Sequence, residues 1–205
     1  MVVPDTILIA TTNAGKFREL SGAFAEVPVK IRGLAAFPQI PKPEEDGATF
    51  EENAALKAFY YSKHSHLWTL ADDSGLEVDA LGGSPGVHSA RYAGDDATDA
   101  QNNAKLIRML EGVARERRNA RFRCALAVAD GNQLVLQTSG SVDGVILDAP
   151  RGSNGFGYDP YFFLPELALT MAELPPARKN EMSHRGQALR RLKAELERLS
   201  TPSTS

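Results

Sequence analysis

The stretch that most restricts the fold is Leu67-Trp68-Thr69-Leu70-Ala71-Asp72-Asp73-Ser74-Gly75. The short apolar run from Leu67 to Ala71 reads as a buried strand. It stops at two adjacent carboxylates, Asp72 and Asp73, followed by a Ser-Gly turn. In an open α/β sheet, ligands bind outside the carboxyl ends of the strands. A strand that stops in Asp-Asp therefore places hard oxygen ligands where a cleft is expected. Such ligands suit Mg²⁺, which is held by one or two carboxylates together with substrate phosphates. Asp-Asp-Ser-Gly is also good turn chemistry, and this segment alone does not choose between the two.

Thr6–Ala10 reads as the first strand. Thr11-Thr12-Asn13-Ala14-Gly15-Lys16 follows, and then Phe17, Leu20 and Phe24 recur at helical spacing. Asn13 is a good N-cap. Lys16 then falls in the first helical turn, where a cation opposes the helix dipole and where a bound anion would account for it. The usual P-loop is not present, because no glycine precedes Gly15 across a four-residue gap and Phe17 stands where Ser or Thr follows the lysine. Pro28 to Pro43 reads as a loop crossing with room for one short strand. Glu44-Glu45-Asp46-Gly47 is acidic, and Thr49-Phe50-Glu51-Glu52 reads as a capping box. It opens a helix to about His66, with Phe50, Ala54, Ala58 and Tyr61 inward, Lys57 to another side, and His64 and His66 at the surface. Acidic residues ahead of a helix also suit its dipole; the functional alternative makes Glu45 a second metal carboxylate.

Leu76–Leu81 alternates as a further strand, and Gly82–Gly86 reads as a loop. Thr98 or Asp99 caps a helix carrying Ala104, Ile107 and Leu110 and stopping at Gly112; Asp95, Asp96 and Asp99 read as caps rather than ligands. Phe122, Cys124, Leu126 and Val128 form the inward face of a strand. Asp130-Gly131-Asn132 turns it into a partner running from Leu134 to Leu147, so the sheet is mixed. In Arg151–Pro160, three glycines let the backbone approach a ligand. Phe156 and Tyr158 there offer faces on which a base stacks with ~1–3 kcal/mol, and Asp159 can accept from ring N–H groups. An aromatic loop packed on the core is the other reading. Tyr161–Leu164 is a short strand, and Leu167–Pro176 is loop-like and leads to Lys179. Ser183 caps a final helix seamed by Leu189, Leu192, Leu196 and Leu199. That places His184 and Arg185 in a first turn, again against the dipole. Ser200–Ser205 reads as a polar tail behind a single α/β domain over 1–199.

Composition restricts the class. The 205 residues suffice for one domain or two small lobes. A formal charge of −3 lacks the basic footprint of a nucleic-acid binder, and Arg115–Arg118 reads as a solvated helix end or loop. Cys124 is the only cysteine, which excludes an internal disulfide and a Cys-based zinc site; it reads as a core thiol. No apolar run is long enough to span a bilayer, and an N-terminus with Pro4 and Asp5 lacks the basic region of a signal peptide. A reducing cytoplasm is expected.

The simplest ligand common to these features is a purine nucleoside polyphosphate with Mg²⁺. Lys16, Lys179 and one helix N-terminus would bind phosphate, and Glu45 and Asp73 would hold metal. The Phe156–Asp159 loop and Arg185 would read the base, leaving attack on phosphorus by water as the chemistry. Thr11–Lys16, Ala71-Asp72-Asp73-Ser74-Gly75, Gly155-Phe156-Gly157-Tyr158-Asp159-Pro160 and Ser183-His184-Arg185-Gly186-Gln187-Ala188 resemble, in order, the blocks of the inosine/xanthosine triphosphate pyrophosphatase family. The resemblance spans nearly the whole chain. It implies a two-lobed α/β fold around a long twisted mixed sheet flanked by helices, with the active cleft between lobes. It further implies a homodimer and Mg²⁺-dependent hydrolysis of ITP, dITP or XTP to the monophosphate and pyrophosphate. By position it implies a phosphate loop at Thr11, Thr12, Asn13, Ala14, Gly15 and Lys16, metal carboxylates at Glu45 and Asp73, and Asp73 as general base. Ser74 and Lys57 are implied substrate contacts, and Phe156, Gly157, Tyr158, Asp159, Lys179, His184 and Arg185 the implied base-and-phosphate pocket.

The base preference follows from donor and acceptor patterns. Hypoxanthine and xanthine carry a 6-keto acceptor and an N1–H donor, and adenine the reverse. Arg185 only donates and ionised Asp159 only accepts, so adenine leaves both unpaired. Guanine shares the keto pattern, and these residues do not explain its rejection. A nucleotide-binding regulator without hydrolysis, or a related pyrophosphatase for modified pyrimidine or guanine nucleotides, are the other readings. A pure binder has no need of Glu45 and Asp73 together.

Overall fold

Strand β1 (Thr6–Ala10) is buried from Ile7 to Ala10, as an apolar run without alternation requires of a strand covered on both faces. The coordinates are a computed structural model describing residues 4–25, 27 and 29–200. Residues 1–3 at the N-terminus, Pro28 at the start of the expected loop crossing, and residues 201–205 of the expected tail lie outside the described residues. After β1 come α1 (Ala14–Ala23), β2 (Lys30–Gly33), α2 (Phe50–Ser65), β3 (Trp68–Val78), α3 (Asp99–Met109), β4 (Asn119–Asp130), β5 (Gln133–Ile146), β6 (Phe162–Leu164), β7 (Leu169–Thr170), α4 (Pro176–Met182) and α5 (His184–Ser200). The strands form one mixed sheet in the order β2-β1-β3-β4-β5-β6-β7, with β1 parallel to β2 and β3 and β6 antiparallel to β5 and β7.

The chain divides into two compact units. The first comprises Met1–Asp73, Ala125–Ser139 and Gln187–Ser205; the second comprises Ser74–Cys124 and Gly140–Gly186. Strands β3, β4 and β5 each contribute residues to both. In the first unit α1 and α2 pack on β1 through Leu20, Phe24, Phe50, Ala54 and Ala58, all buried. α1 is capped by Asn13, whose side chain accepts from the Lys16 amide, and α2 by the expected Thr49/Glu52 capping box. Leu189, Leu192 and Leu196 of α5 are buried, while Leu199 is half-buried. The second unit has its own core, built on Leu76, Val78, Phe122, Ile146, Phe162 and Met171.

Several expectations are corrected. Asp72-Asp73-Ser74-Gly75 is not a turn, and Leu76–Val78 is not a separate strand. β3 runs unbroken through all of them, and a one-turn helix occupies Asp79–Leu81. The turn chemistry is overridden because both carboxylates are buried and matched by lysines, as detailed below. The Leu167–Pro176 loop contains β7 and a helical turn at Met171–Glu173. In α3, Ala104 is exposed, and the buried face is Asn102, Asn103 and Leu106, continued by Leu110. Thr98 is the cap, and Asp99 instead accepts from the Gly157 amide. Arg118 is buried rather than solvated; its Nε donates to the Val113 carbonyl and it pairs with Asp148.

Candidate active site

The parallel half of the sheet determines where a ligand belongs in the first unit. Ala10, the last residue of β1, lies opposite Ala71. Asp72 and Asp73 are therefore the first residues of β3 beyond its pairing with β1. The chain leaves β1 for β2 on one side and returns to β3 on the other. The carboxyl ends of strands at such a reversal are where open α/β sheets bind ligands. Thr11–Lys16 follows the carboxyl end of β1, and the Asp pair lies within β3 just past that end.

Handedness explains the partners of the two aspartates. Right-handed crossovers in opposite directions along a sheet put their helices on opposite faces, so α1 and α2 cover different faces. Consecutive strand residues also point to opposite faces. Asp72 accordingly meets Lys16 of α1, with Nζ to Oδ1 at 2.5 Å, and Asp73 meets Lys57 of α2, with Nζ to Oδ1 at 2.7 Å. Lys57 Nζ also donates to Glu45 Oε2 at 2.8 Å, and Lys42 lies 3.3 Å from Glu45 Oε1. The loop ahead of α1 is held by its own side chains. Thr11 Oγ1 accepts from the Asn13 amide at 3.2 Å, and Asn13 Oδ1 accepts from the Lys16 amide at 3.0 Å. Thr12, Asn13 and Ala14 remain exposed.

These charges tune one another. Burial pushes the Asp73 carboxyl above the usual carboxylate range, against the pull of Lys57 and Lys16. For Glu45 burial acts in the same direction, but Lys57 and Lys42 outweigh it and hold the group below its usual range. Burial would lower Lys57, yet Asp73 and Glu45 together hold it above the ordinary lysine range. Asp73 Oδ2 is buried and accepts no hydrogen bond. An unsatisfied buried acceptor costs about 1–3 kcal/mol, and a divalent cation would satisfy it. Among the described residues no three His, Cys, Asp or Glu side chains cluster as a self-sufficient metal cage. Mg²⁺ needs none, because it keeps waters and takes substrate phosphates as ligands. Glu45 and Asp73 thus fit a cation shared with a polyphosphate.

The second unit assembles a different cluster. The half-buried Phe156 ring has Lys179 Nζ 4.7 Å and Arg185 Cζ 5.7 Å from its centroid, within cation–π range. Lys179 Nζ donates to Asp159 Oδ2 at 2.6 Å, and the same oxygen accepts from the Phe156 amide at 2.9 Å. Gly155 sits at φ +81°, and a Cβ there would run into the Asp159 carboxylate. Ser183 caps α5 by accepting from the Gly186 amide at 3.1 Å. In its first turn Arg185, 1% exposed, donates from Nη2 to Ser74 Oγ at 2.7 Å. The buried His184 ring stacks on Phe122 at 4.9 Å.

The sequence-predicted residues thus fall into two sets. Lys16, Glu45, Lys57 and Asp73 gather in the first unit, and Ser74, Phe156, Asp159, Lys179 and Arg185 in the second. Three roles change. Tyr158 is a core residue, not an open stacking face: it is buried, and its hydroxyl donates to the Ser89 carbonyl at 2.8 Å. Asp159, expected to accept from a base, is engaged by Lys179 and the Phe156 amide. Lys179, expected on phosphate, stands over the Phe156 ring. The sequence by itself does not pair Asp72 with Lys16, although strand alternation alone implies that only one of the two aspartates can share a face with Glu45.

The chain is similar to known proteins over most of its length. The chain is 54% identical over 193 residues to a dITP/XTP pyrophosphatase of Geobacillus kaustophilus, covering 94% of this chain and 95% of that protein. It is 52% identical over 190 residues to a dITP/XTP pyrophosphatase of Listeria monocytogenes, covering 93% and 94%. The solved structure of a HAM1 protein from Coxiella burnetii superimposes with a TM-score of 0.86 at 41% identity, covering 97% of this chain and all of that one. Residues 7–195 match the Ham1 family, a span that takes in both clusters and every block on which the resemblance rests, and the chain belongs to that family.

Proposed function

We propose that this protein hydrolyses the deaminated purine nucleoside triphosphates ITP, dITP and XTP to the monophosphate and pyrophosphate, removing them from the nucleotide pool. The observation that carries the reading is the chemistry of consecutive residues in β3. Asp73 belongs to a carboxylate–lysine cluster suited to metal and polyphosphate, and Ser74 is bonded to Arg185 beside an aromatic face suited to a base. A nucleoside triphosphate carries both kinds of partner in one molecule.

At the phosphate end, Thr11–Lys16 brings the exposed residues Thr12, Asn13 and Ala14 to a helix N-terminus, the usual backbone site for an anion. Lys16 and Lys57 add charge. Glu45 and Asp73 would hold Mg²⁺, which when bound neutralises phosphate charge and lowers the pKa of a coordinated water. Asp73, with its carboxyl raised by burial, is suited to take a proton from the attacking water at neutral pH, since a general base works best near the operating pH. At the base end, Phe156 stacks. Lys179 and Arg185 bear only donors, which match a 6-keto oxygen and oppose the 6-amino group of adenine. Asp159 holds Lys179 and closes the loop, so discrimination rests on donors rather than on a carboxylate acceptor. The remaining loop positions, Gly157 and Tyr158, shape the backbone behind the ring, and His184 braces the start of α5. Residues 1–199 would act together as one catalytic domain, and the reading extends to a homodimer in the cytoplasm. Its support is the family resemblance, together with the buried Cys124 thiol, which is in no disulfide and suits a reducing compartment.

The test is product analysis over a panel of nucleoside triphosphates with and without Mg²⁺. Pyrophosphate release from ITP, dITP and XTP but not ATP, lost on chelation, is expected. Release of orthophosphate in the absence of an added pyrophosphatase would place attack at the terminal phosphorus and overturn the reading.

A further inference from the structure

Helix α3 buries two asparagines on the face that carries its apolar seam. Asn102 is tied to the neighbouring turn, accepting from the Ala93 amide at 2.8 Å and donating to the Ala90 carbonyl at 3.1 Å. Asn103 reaches instead to the base loop, 54 residues away, where its Nδ2 donates to the Gly157 carbonyl at 2.9 Å. One turn earlier, Asp99 Oδ2 accepts from the Gly157 amide at 2.7 Å. Residues four apart on a helix lie on one face, so Asp99 and Asn103 grip both backbone groups of one residue. That residue is in the left-handed region at φ +61° and directly follows Phe156.

We propose that Asp99 and Asn103 are positioning residues for base recognition, fixing the Gly157 backbone and through it the Phe156 ring. The inference rests on the function proposed above. A purely structural role is a poor account of Asn103. The side chain is 8% exposed, its Oδ1 is buried with no hydrogen-bond partner, and its helix neighbours are Leu106 and Leu110. A leucine would suit such a core better, because a buried polar atom left unpaired is costly. What the asparagine provides is the bond to Gly157. The residues flanking Gly157 are held from other directions: Tyr158 by Ser89 and Phe156 by Asp159. The α3 pair completes the restraint on this glycine, which no side chain of its own can supply.

The test compares the unsubstituted protein with Asn103→Ala, Asp99→Ala and Asp99→Asn, each first shown to melt above the assay temperature. With ITP, Asn103→Ala and Asp99→Ala are expected to raise KM about tenfold, the effect of losing one or two hydrogen bonds, with kcat little changed. Asp99→Asn keeps an acceptor oxygen and should restore KM. Inhibition by inorganic tripolyphosphate, which has no base, should be the same in all four proteins. An unchanged KM in Asn103→Ala, or an equal loss of tripolyphosphate inhibition, would overturn the positioning role. Absence of ITP turnover in the unsubstituted protein would instead overturn the proposed function, and this inference with it.

Discussion

Replacing Asp73 by Asn tests the centre of the mechanism with little change in shape. The amide keeps the size of the carboxylate but removes its charge, its ability to take a proton, and much of its affinity for a divalent cation. Loss of a positioned general base alone costs about 10²–10⁴ in rate, so kcat/KM for ITP should fall by at least about 10³ once the weakened metal site is added. Stability should suffer less than removal of one member of a buried ion pair normally implies, which is about 3–5 kcal/mol. Lys57 keeps Glu45 as a partner at 2.8 Å, and burial already disfavours the charged form of Asp73. A modest shift in melting temperature is therefore expected beside a near-total loss of pyrophosphate release. Glu45→Gln separates the two roles, since it weakens the metal site alone and should be partly rescued by raising Mg²⁺. Retention of more than about a tenth of wild-type kcat/KM by a folded Asp73→Asn protein would show that neither metal nor base depends on this residue, because even the smallest general-base contribution exceeds that loss.

Arg185→Ala should lose ITP turnover far more than it gains ATP turnover, since it removes the donor and its 2.7 Å bond to Ser74; unchanged ITP kinetics would refute its part in reading the base. Phe156→Ala should raise KM by the stacking term, ~1–3 kcal/mol or about 5- to 150-fold, and an unaltered KM would remove the stack. Asp72→Asn should leave Lys16 without its 2.5 Å counter-ion and lower the melting temperature more than Asp73→Asn does, checked by thermal denaturation of the two side by side. For pH, the folded state binds the Asp73 proton more tightly than the unfolded chain does. The acid limb of kcat/KM should therefore lie above the ordinary carboxylate value of 3.8. Glu45 has the opposite sign: its stabilisation is present above the unfolded carboxylate range and is lost as pH falls through its depressed folded value, which metal-free melts over an acid series would reveal.

Much of this fold was legible because its signals are local. The Asn13 cap, the Thr49 capping box and the Gly131-Asn132 turn each act within a few residues and appear in the structure where the sequence places them. What was not legible depends on partners distant in the chain. Asp72-Asp73-Ser74-Gly75 has the composition of a turn and becomes strand because lysines from two helices meet its carboxylates. Tyr158 and Phe156 stand two residues apart in one glycine-rich loop, and nothing in that loop says which ring the core will take. Asp99 reads locally as a helix cap, and only the fold brings Gly157 to it.

The adjacent aspartates show why the local reading of the residues and their structural context had to diverge. Two carboxylates on consecutive residues of a turn would share solvent and repel weakly. Buried on consecutive residues of a strand they point to opposite faces, so each can be neutralised by its own lysine without competing for the other's. Asp72, with a completely buried side chain, is held by Lys16. Asp73 differs in keeping one oxygen without a hydrogen bond and in sharing Lys57 with Glu45. Lys57 divides its donors between two carboxylates while Lys42 adds to Glu45 alone, and the Asp73 oxygen left unfilled, rather than the mere presence of two acids in sequence, is what suits Asp73 to the metal and proton roles proposed for it.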